Sequence, residues 1–237
     1  MREKTEYAVQ WNISAQYFYE RGYYTWMAEK LSGYDTILEI GCGTGYSTLA
    51  LVEKGYKVIA VDKNLECLNK ARALLDEKDT NDDRIVFVEG DIVEENFRET
   101  LLHNYNFDAI ICWNVGTYWT REMIQYYLPY MFEYGLNKEQ IVSNPESSYS
   151  ELIIWNVCRL AKEKNAAVHI IDRTLEEIAE STDPYYYLLK DEFDFSTIEY
   201  DNKRANSVSK GGRILSTNGA ANLEEKMDIL FVSILYR

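Results

Sequence analysis

The stretch Leu38-Glu39-Ile40-Gly41-Cys42-Gly43-Thr44-Gly45 ends a short apolar strand pattern, TILEIG, in three glycines at alternate positions. Glycine is the residue for a backbone that must turn through positive φ or come close to another group, because it has no Cβ to obstruct either. Three glycines in five residues, placed straight after a strand, imply a turn whose backbone approaches a ligand.

Read outward from this turn, the chain alternates between two periodicities. Strand patterns TILEIG, KVIAVD, RIVFVEGD and FDAIICWN are separated by helical patterns YSTLALVEKG, LECLNKARALLDEK and one near NFRETLLHNY. Strands alternating with helices imply βαβ units, hence a mostly parallel sheet. The second half predicts helices around REMIQYYLPYMFEYG and YSELIIWNVCRLAKEKN and a strand at AAVHIID. Two closing strands follow, near TIEYDN and MDILFVSILYR, joined by the loop SKGGRILSTNGAANLEEK. Such a late pair puts one antiparallel strand near the C-terminus of an otherwise parallel sheet. The expected fold is a Rossmann-like α/β domain with a seven-stranded sheet. Only three prolines occur and no low-complexity linker divides the 237 residues, so one domain is expected, with residues 1–35 as a helical segment in front of 36–237.

The composition narrows the function. A net charge of -14 argues against a partner held through phosphates, which requires clustered Lys and Arg. Cys42, Cys67, Cys112 and Cys158 are scattered without zinc-ligand spacing, which predicts free thiols and no metal. The segment MREKTEYAVQWN has no apolar signal-like run, and no later stretch approaches the ~18 apolar residues of a membrane span, so a cytoplasmic location is expected.

The dinucleotide fingerprint G-x-G-x-x-G fails here, since its third glycine falls on Tyr46 or Thr48, and no Gly-Lys-Ser/Thr follows to make a phosphate-binding loop. The residues do resemble the first motif of the class I S-adenosylmethionine-dependent methyltransferases, acidic-x-Gly-x-Gly-x-Gly, at Glu39, Gly41, Gly43 and Gly45. The resemblance continues in order. Asp62, ending VIAVD, matches the acid that binds the ribose hydroxyls, a task suited to a bidentate carboxylate; Lys63 beside it either flanks the adenine or is solvated. Asp91, ending FVEGD, matches the acceptor for the adenine amino group, with Ile92 beside the ring. Trp113 and Asn114, after the fourth strand, match the position near the methionine part. The resemblance covers about residues 36–118 and implies S-adenosyl-L-methionine as cofactor and methyl transfer to a small-molecule acceptor. The alternatives are a protein or nucleic-acid methyltransferase, or a non-catalytic module that binds S-adenosylmethionine or S-adenosylhomocysteine.

Methyl transfer from a sulfonium is an in-line displacement, helped chiefly by alignment, so a dedicated catalytic residue is not required. Of the two histidines, His169 sits mid-strand in AAVHIID and reads as a core residue, and His103 lies in a surface helix. Asp172, at the end of that strand, is the candidate general base by position, although a strand-end Asp before TLEE also reads as a helix cap. The leading segment is rich in aromatic residues. Trp11, Tyr17 and Tyr24 from it, with Tyr118 after the fourth strand, are candidates for a lid or the acceptor site, the alternative being a helix packed on the sheet, where Tyr17, Tyr24 and Met27 fall near helical spacing. Twenty tyrosines suit either a pocket or an interface. Lys203, Arg204, Lys210 and Arg213 form a late basic cluster that is either a solvated face or a seat for an acidic group.

Overall fold

The computed structural model describes residues 2–80, 83–115, 119–120, 122–183, 185–211, 213–217 and 220–237. Two helices lead, α1 (Arg2–Glu20) and α2 (Tyr23–Glu29). They are followed by β1 (Thr36–Ile40), α3 (Tyr46–Glu53), β2 (Lys57–Asp62), α4 (Leu65–Glu77), β3 (Ile85–Glu89), α5 (Glu95–Asn104) and β4 (Ala109–Trp113). Three helices then run in succession, α6 (Met123–Tyr134), α7 (Lys138–Ser143) and α8 (Pro145–Lys164), before β5 (Ala167–Thr174) and α9 (Tyr186–Glu192). The chain closes with β6 (Ile198–Ser207), the two-residue strands β7 (Ser209–Lys210), β8 (Arg213–Ile214), β9 (Ser216–Thr217) and β10 (Ala220–Ala221), and finally β11 (Met227–Tyr236).

Seven strands form one sheet in the order β3-β2-β1-β4-β5-β11-β6. All neighbours are parallel except β11, which runs antiparallel to both β5 and β6. This is the sheet expected from the strand and helix patterns. Side-chain alternation sorts its strands onto two helical layers. Ile110 and Cys112 of β4 face a cluster with Leu152, Val157 and Leu160 of α8, whereas Ala109, Ile111 and Trp113 face one with Phe18 of α1 and Met27 of α2. Phe231 of β11 is fully buried and meets Phe18 edge-on at 5.4 Å, a geometry worth about 1 kcal/mol beyond the area it buries.

The structure departs from the sequence patterns mainly in the second half. Helix α7 had no expected counterpart; it is set by a capping box between Asn137 and Gln140. Helix α8 starts at Pro145, four residues before the pattern YSELIIW, with Asn144 accepting from the Ser147 N–H and proline in the first turn. TLEE starts no helix: β5 continues to Thr174, and residues 175–182 carry no helix or strand. Strand β6 runs on to Ser207, five residues past TIEYDN, because its ladder with β11 holds from Ile198 to Ser207. The tyrosines of DPYYY open α9, whose N-terminal amides at Tyr185, Tyr186 and Tyr187 all donate to the Asp183 carboxylate. Tyr186 is buried there, with its carbonyl accepting from the Tyr236 hydroxyl, so it serves the core.

Candidate active site

The turn after β1 lies against the end of β2, because the amides of Gly41 and Cys42 both donate to the carbonyl of Val61, at 2.8 and 3.0 Å. Two glycines in it are required by close approach. Gly43 has φ +54°, and a Cβ there would sit 2.4 Å from Nε1 of Trp11, so the α1 indole lies directly on the turn. Gly45 has φ +90°, and its Cβ would meet the Ala71 backbone at 2.8 Å, so this glycine lets α3 and α4 pack together.

Asp62 fixes the geometry at the end of β2. One carboxylate oxygen accepts from the Gly43 N–H at 2.9 Å and the other from the Asn64 N–H at 2.8 Å, joining the turn to the start of α4. Helix α4 is capped by Asn64, so Asp62 is left facing the space beside the turn. Burial raises its pKa, opposed by these two amides and by Lys63.

That space is a cleft open to solvent, with about 660 Å³ of empty space counting its mouth. Gly41, Gly43, Asp62, Lys63, Asp91, Ile92, Asn114 and Trp11 line it together, so eight of the residues singled out from sequence meet on one surface. At the Asp91 end, one carboxylate oxygen accepts from the Val93 N–H at 3.1 Å and the other from the Tyr127 hydroxyl. Lys63 extends over the rings of Tyr127 and Tyr149, 4.8 and 4.2 Å from their centroids, and donates to both hydroxyls.

At the opposite end Asn114 adopts φ +54°, a left-handed conformation that asparagine tolerates better than most residues. Its backbone N–H donates to Ile171 O at 2.8 Å, tying β4 to β5. The side-chain amide is buried, with neither Oδ1 nor Nδ2 partnered among the described residues, and the same holds for the Thr44 hydroxyl in the glycine turn. Orphaned buried polar groups cost about 1–3 kcal/mol each; Asn114 lines the cleft, whereas Thr44 lies behind it.

Other singled-out residues lie elsewhere. Glu39 is buried behind the turn and accepts from the Ser47 and Thr48 hydroxyls in the first turn of α3; burial pushes its pKa up to about 7. Trp113 stacks on Tyr24 and donates from Nε1 to Nδ1 of His169 at 3.1 Å. Since indole only donates, the neutral His169 ring carries its proton on Nε2, which faces the Ser233 hydroxyl at 2.8 Å. Burial, with Lys30 nearby, holds its pKa down to about 3, so His169 is a satisfied core residue. Tyr17 donates to Asn206 on β6, away from the cleft. Asp172 accepts from the Tyr186 hydroxyl at 3.1 Å and from the Arg173 N–H, and it does not line the cleft; nor do Glu39, Gly45, Trp113, Tyr17 or Tyr24. Tyr118 falls outside the described residues.

All four cysteines are free and buried, and among the described residues no cluster could hold a metal ion. The basic cluster is dispersed: Lys203 lies over the Trp26 ring, Arg204 is exposed near Glu177, and Lys210 and Arg213 sit on the β7–β8 hairpin. Sequence reading missed Tyr7, Cys67, Val115, Tyr149 and Ile153 among the lining residues. Tyr7 stands one helical turn before Trp11 and stacks with it, a spacing visible in the sequence; Tyr149 and Ile153 reach the cleft only because α8 crosses the sheet there.

Residues 37–133 match a family model described as a methyltransferase domain. A cypemycin N-terminal methyltransferase from a Streptomyces species is 40% identical to this chain over 65 residues. Those residues make up 27% of this chain and 24% of that protein, so the match spans about a quarter of the relative's length. Among solved structures, a precorrin-6y C5,15-methyltransferase from Geobacter metallireducens GS-15 aligns with a TM-score of 0.52 at 10% identity, over 90% of this chain and 86% of that one. A proposed RNA methyltransferase from Pyrococcus horikoshii aligns with a TM-score of 0.53 at 12% identity, over 90% of this chain and 80% of that one. At such identities the likeness carries the fold alone. Residues 37–133, which carry the glycine turn and the strand-end acids, are thus similar to a methyltransferase domain.

Proposed function

We propose that this chain is an S-adenosylmethionine-dependent methyltransferase that passes the methyl group to a small-molecule acceptor. The observation that carries the reading is the convergence of the glycine turn, Asp62, Asp91 and the unpartnered amide of Asn114 on one cleft. In this reading Asp62 accepts from ribose hydroxyls, Asp91 and Ile92 receive the adenine, and Asn114 lies toward the methionine part. When bound, the cofactor supplies a methyl group already activated on a sulfonium, so the chain's own task is to hold and align the acceptor. Trp11 and Tyr7 roof the cleft and would exclude water from it. No histidine lines the cleft among the described residues, and Asp172 is engaged elsewhere, so positioning is assigned to this chain and no general base is named.

A small acceptor is supported by the roof over the cleft and by the net charge of -14, which disfavours nucleic acid. Methylation of a peptide N-terminus is the second reading, favoured by the local identity to the cypemycin N-terminal enzyme. No helix among the described residues is long and apolar enough to cross a membrane, and a cytoplasmic location is proposed with the activity.

The test is calorimetric titration of the protein with S-adenosylmethionine and S-adenosylhomocysteine, with NAD as control. Binding of the first two with Kd on the order of micromolar, absence of NAD binding, and at least about tenfold weaker binding by Asp62→Ala are expected. A folded, ligand-free protein that binds neither overturns the proposal.

A further inference from the structure

The face of α1 that roofs the donor cleft continues past it. Tyr7, Gln10, Trp11, Ser14 and Phe18 recur at helical spacing along one side. Tyr7 and Trp11 line the donor cleft, while Gln10 accepts from the Ile214 N–H and Ser14 pairs with the Ser209 hydroxyl at 2.7 Å, seating the β7–β8 hairpin against the helix. Phe18 lies seven residues beyond Trp11, about 10 Å along the axis, and the guanidinium of Arg173 sits over its ring at 5.8 Å.

Arg173 opens on a second cleft of about 710 Å³ between the end of β5, the hairpin and β11. Leu175, Met227 and Ile229 give it apolar walls, and Ser209 and Lys210 contribute polar ones. Among the described residues the Arg173 guanidinium has no hydrogen bond or ion pair, and Lys210 has none either. Carboxylates stand nearby without forming an ion pair with either: Asp172, which also accepts from Tyr186, and Glu146 at the start of α8 both act on the Arg173 charge, and Asp228 shares the cleft wall. Two cations without an ion-pair partner among the described residues line one apolar-walled hollow, and a half-buried guanidinium presents a fork that matches a carboxylate.

We propose that this second cleft is an anion site: it takes a small carboxylic acid with an apolar body, whose carboxylate pairs with Arg173 and Lys210. The site does not depend on the methyltransferase reading, since it shares no lining residue with the donor cleft.

The test measures binding of 3-phenylpropionate and octanoate, each against its amide, to the full chain in saturating S-adenosylhomocysteine, whose own affinity is titrated in the same preparation. The acids are expected to bind at least about tenfold tighter than the amides, by the strength of charge-assisted hydrogen bonds. Arg173→Gln should reduce that preference to within about twofold with the S-adenosylhomocysteine affinity unchanged, Arg173→Lys should retain part of it, and Lys210→Gln on the exposed hairpin should narrow it. Acids and amides binding equally, no binding of either, or a preference that survives Arg173→Gln overturns the proposal. If Arg173→Gln does not fold, Lys210→Gln and the loss of acid affinity on raising salt in the wild type decide the matter. An acid preference without S-adenosylhomocysteine binding leaves the anion site standing and removes the methyltransferase reading; the reverse result removes the anion site alone.

Discussion

Gly43→Ala tests the contact between the glycine turn and α1. A Cβ at this position would stand 2.4 Å from Nε1 and 2.9 Å from Cδ1 of Trp11, so the indole has to retreat by about 1 Å to reach ordinary contact. Trp11 is only 7% exposed and stacks on Tyr7, so it has little room to move without carrying α1 with it. The substitution should therefore cost about 1–2 kcal/mol for placing alanine at φ +54°, with another ~1–3 kcal/mol for overpacking. The overpacking cost should vanish when the indole is absent. In a double-mutant cycle read by urea unfolding, Gly43→Ala in a Trp11→Ala background should lose only the backbone part, leaving a coupling of about 1–3 kcal/mol. Effects that add within about 0.5 kcal/mol would refute the placement of Trp11 on the turn, and with it the roof over the donor cleft.

Three further outcomes are expected. Glu39 is a carboxyl raised from 4.5 to about 7 by burial, so its contribution to stability is fully present below pH 4.5 and is lost as pH rises through about 7. Glu39→Gln should gain up to about 3 kcal/mol relative to wild type between pH 5 and pH 8 in urea unfolding, and parallel pH profiles would contradict the assignment. Asn114→Gly should leave stability within about 1 kcal/mol, since it removes an orphaned amide and suits φ +54°, yet weaken S-adenosylhomocysteine at least about tenfold by calorimetry; unchanged affinity would place the amide outside the site. Trp113→Phe strips the donor from His169 Nδ1 and should cost about 2–4 kcal/mol in thermal or urea unfolding, whereas a neutral result would show that the Trp113–His169 bond contributes little.

The period-two apolar runs, the helical runs between them and the spacing of Gly41, Gly43 and Gly45 were enough to read the parallel sheet, its late antiparallel strand and the ligand-facing turn, because these features follow from local backbone preference and short-range pattern. Asp62, Asp91 and Asn114 were legible through the family resemblance, helped by their places at or just past the carboxyl ends of parallel strands, where such sheets bind ligands. Glu39 and Gly45 belong to the same motif, but their directions depend on what packs behind them. Strand alternation turns Glu39 toward α3, and the backbone of Ala71 occupies the space beside Gly45. The capping box of α7 lies in the sequence as N-x-x-Q and was passed over, whereas the length of β6 depended on a ladder with β11 that no local window contains. Tyr149 over Lys63, Trp11 on Gly43 and Arg173 on Phe18 are contacts between residues 86, 32 and 155 positions apart, numbers that follow from the chain positions alone. Only the crossing of α1 and α8 over the strand ends brings them together, since a helix face is chosen by the surface it buries against and sequence periodicity shows that a face exists without naming its partner.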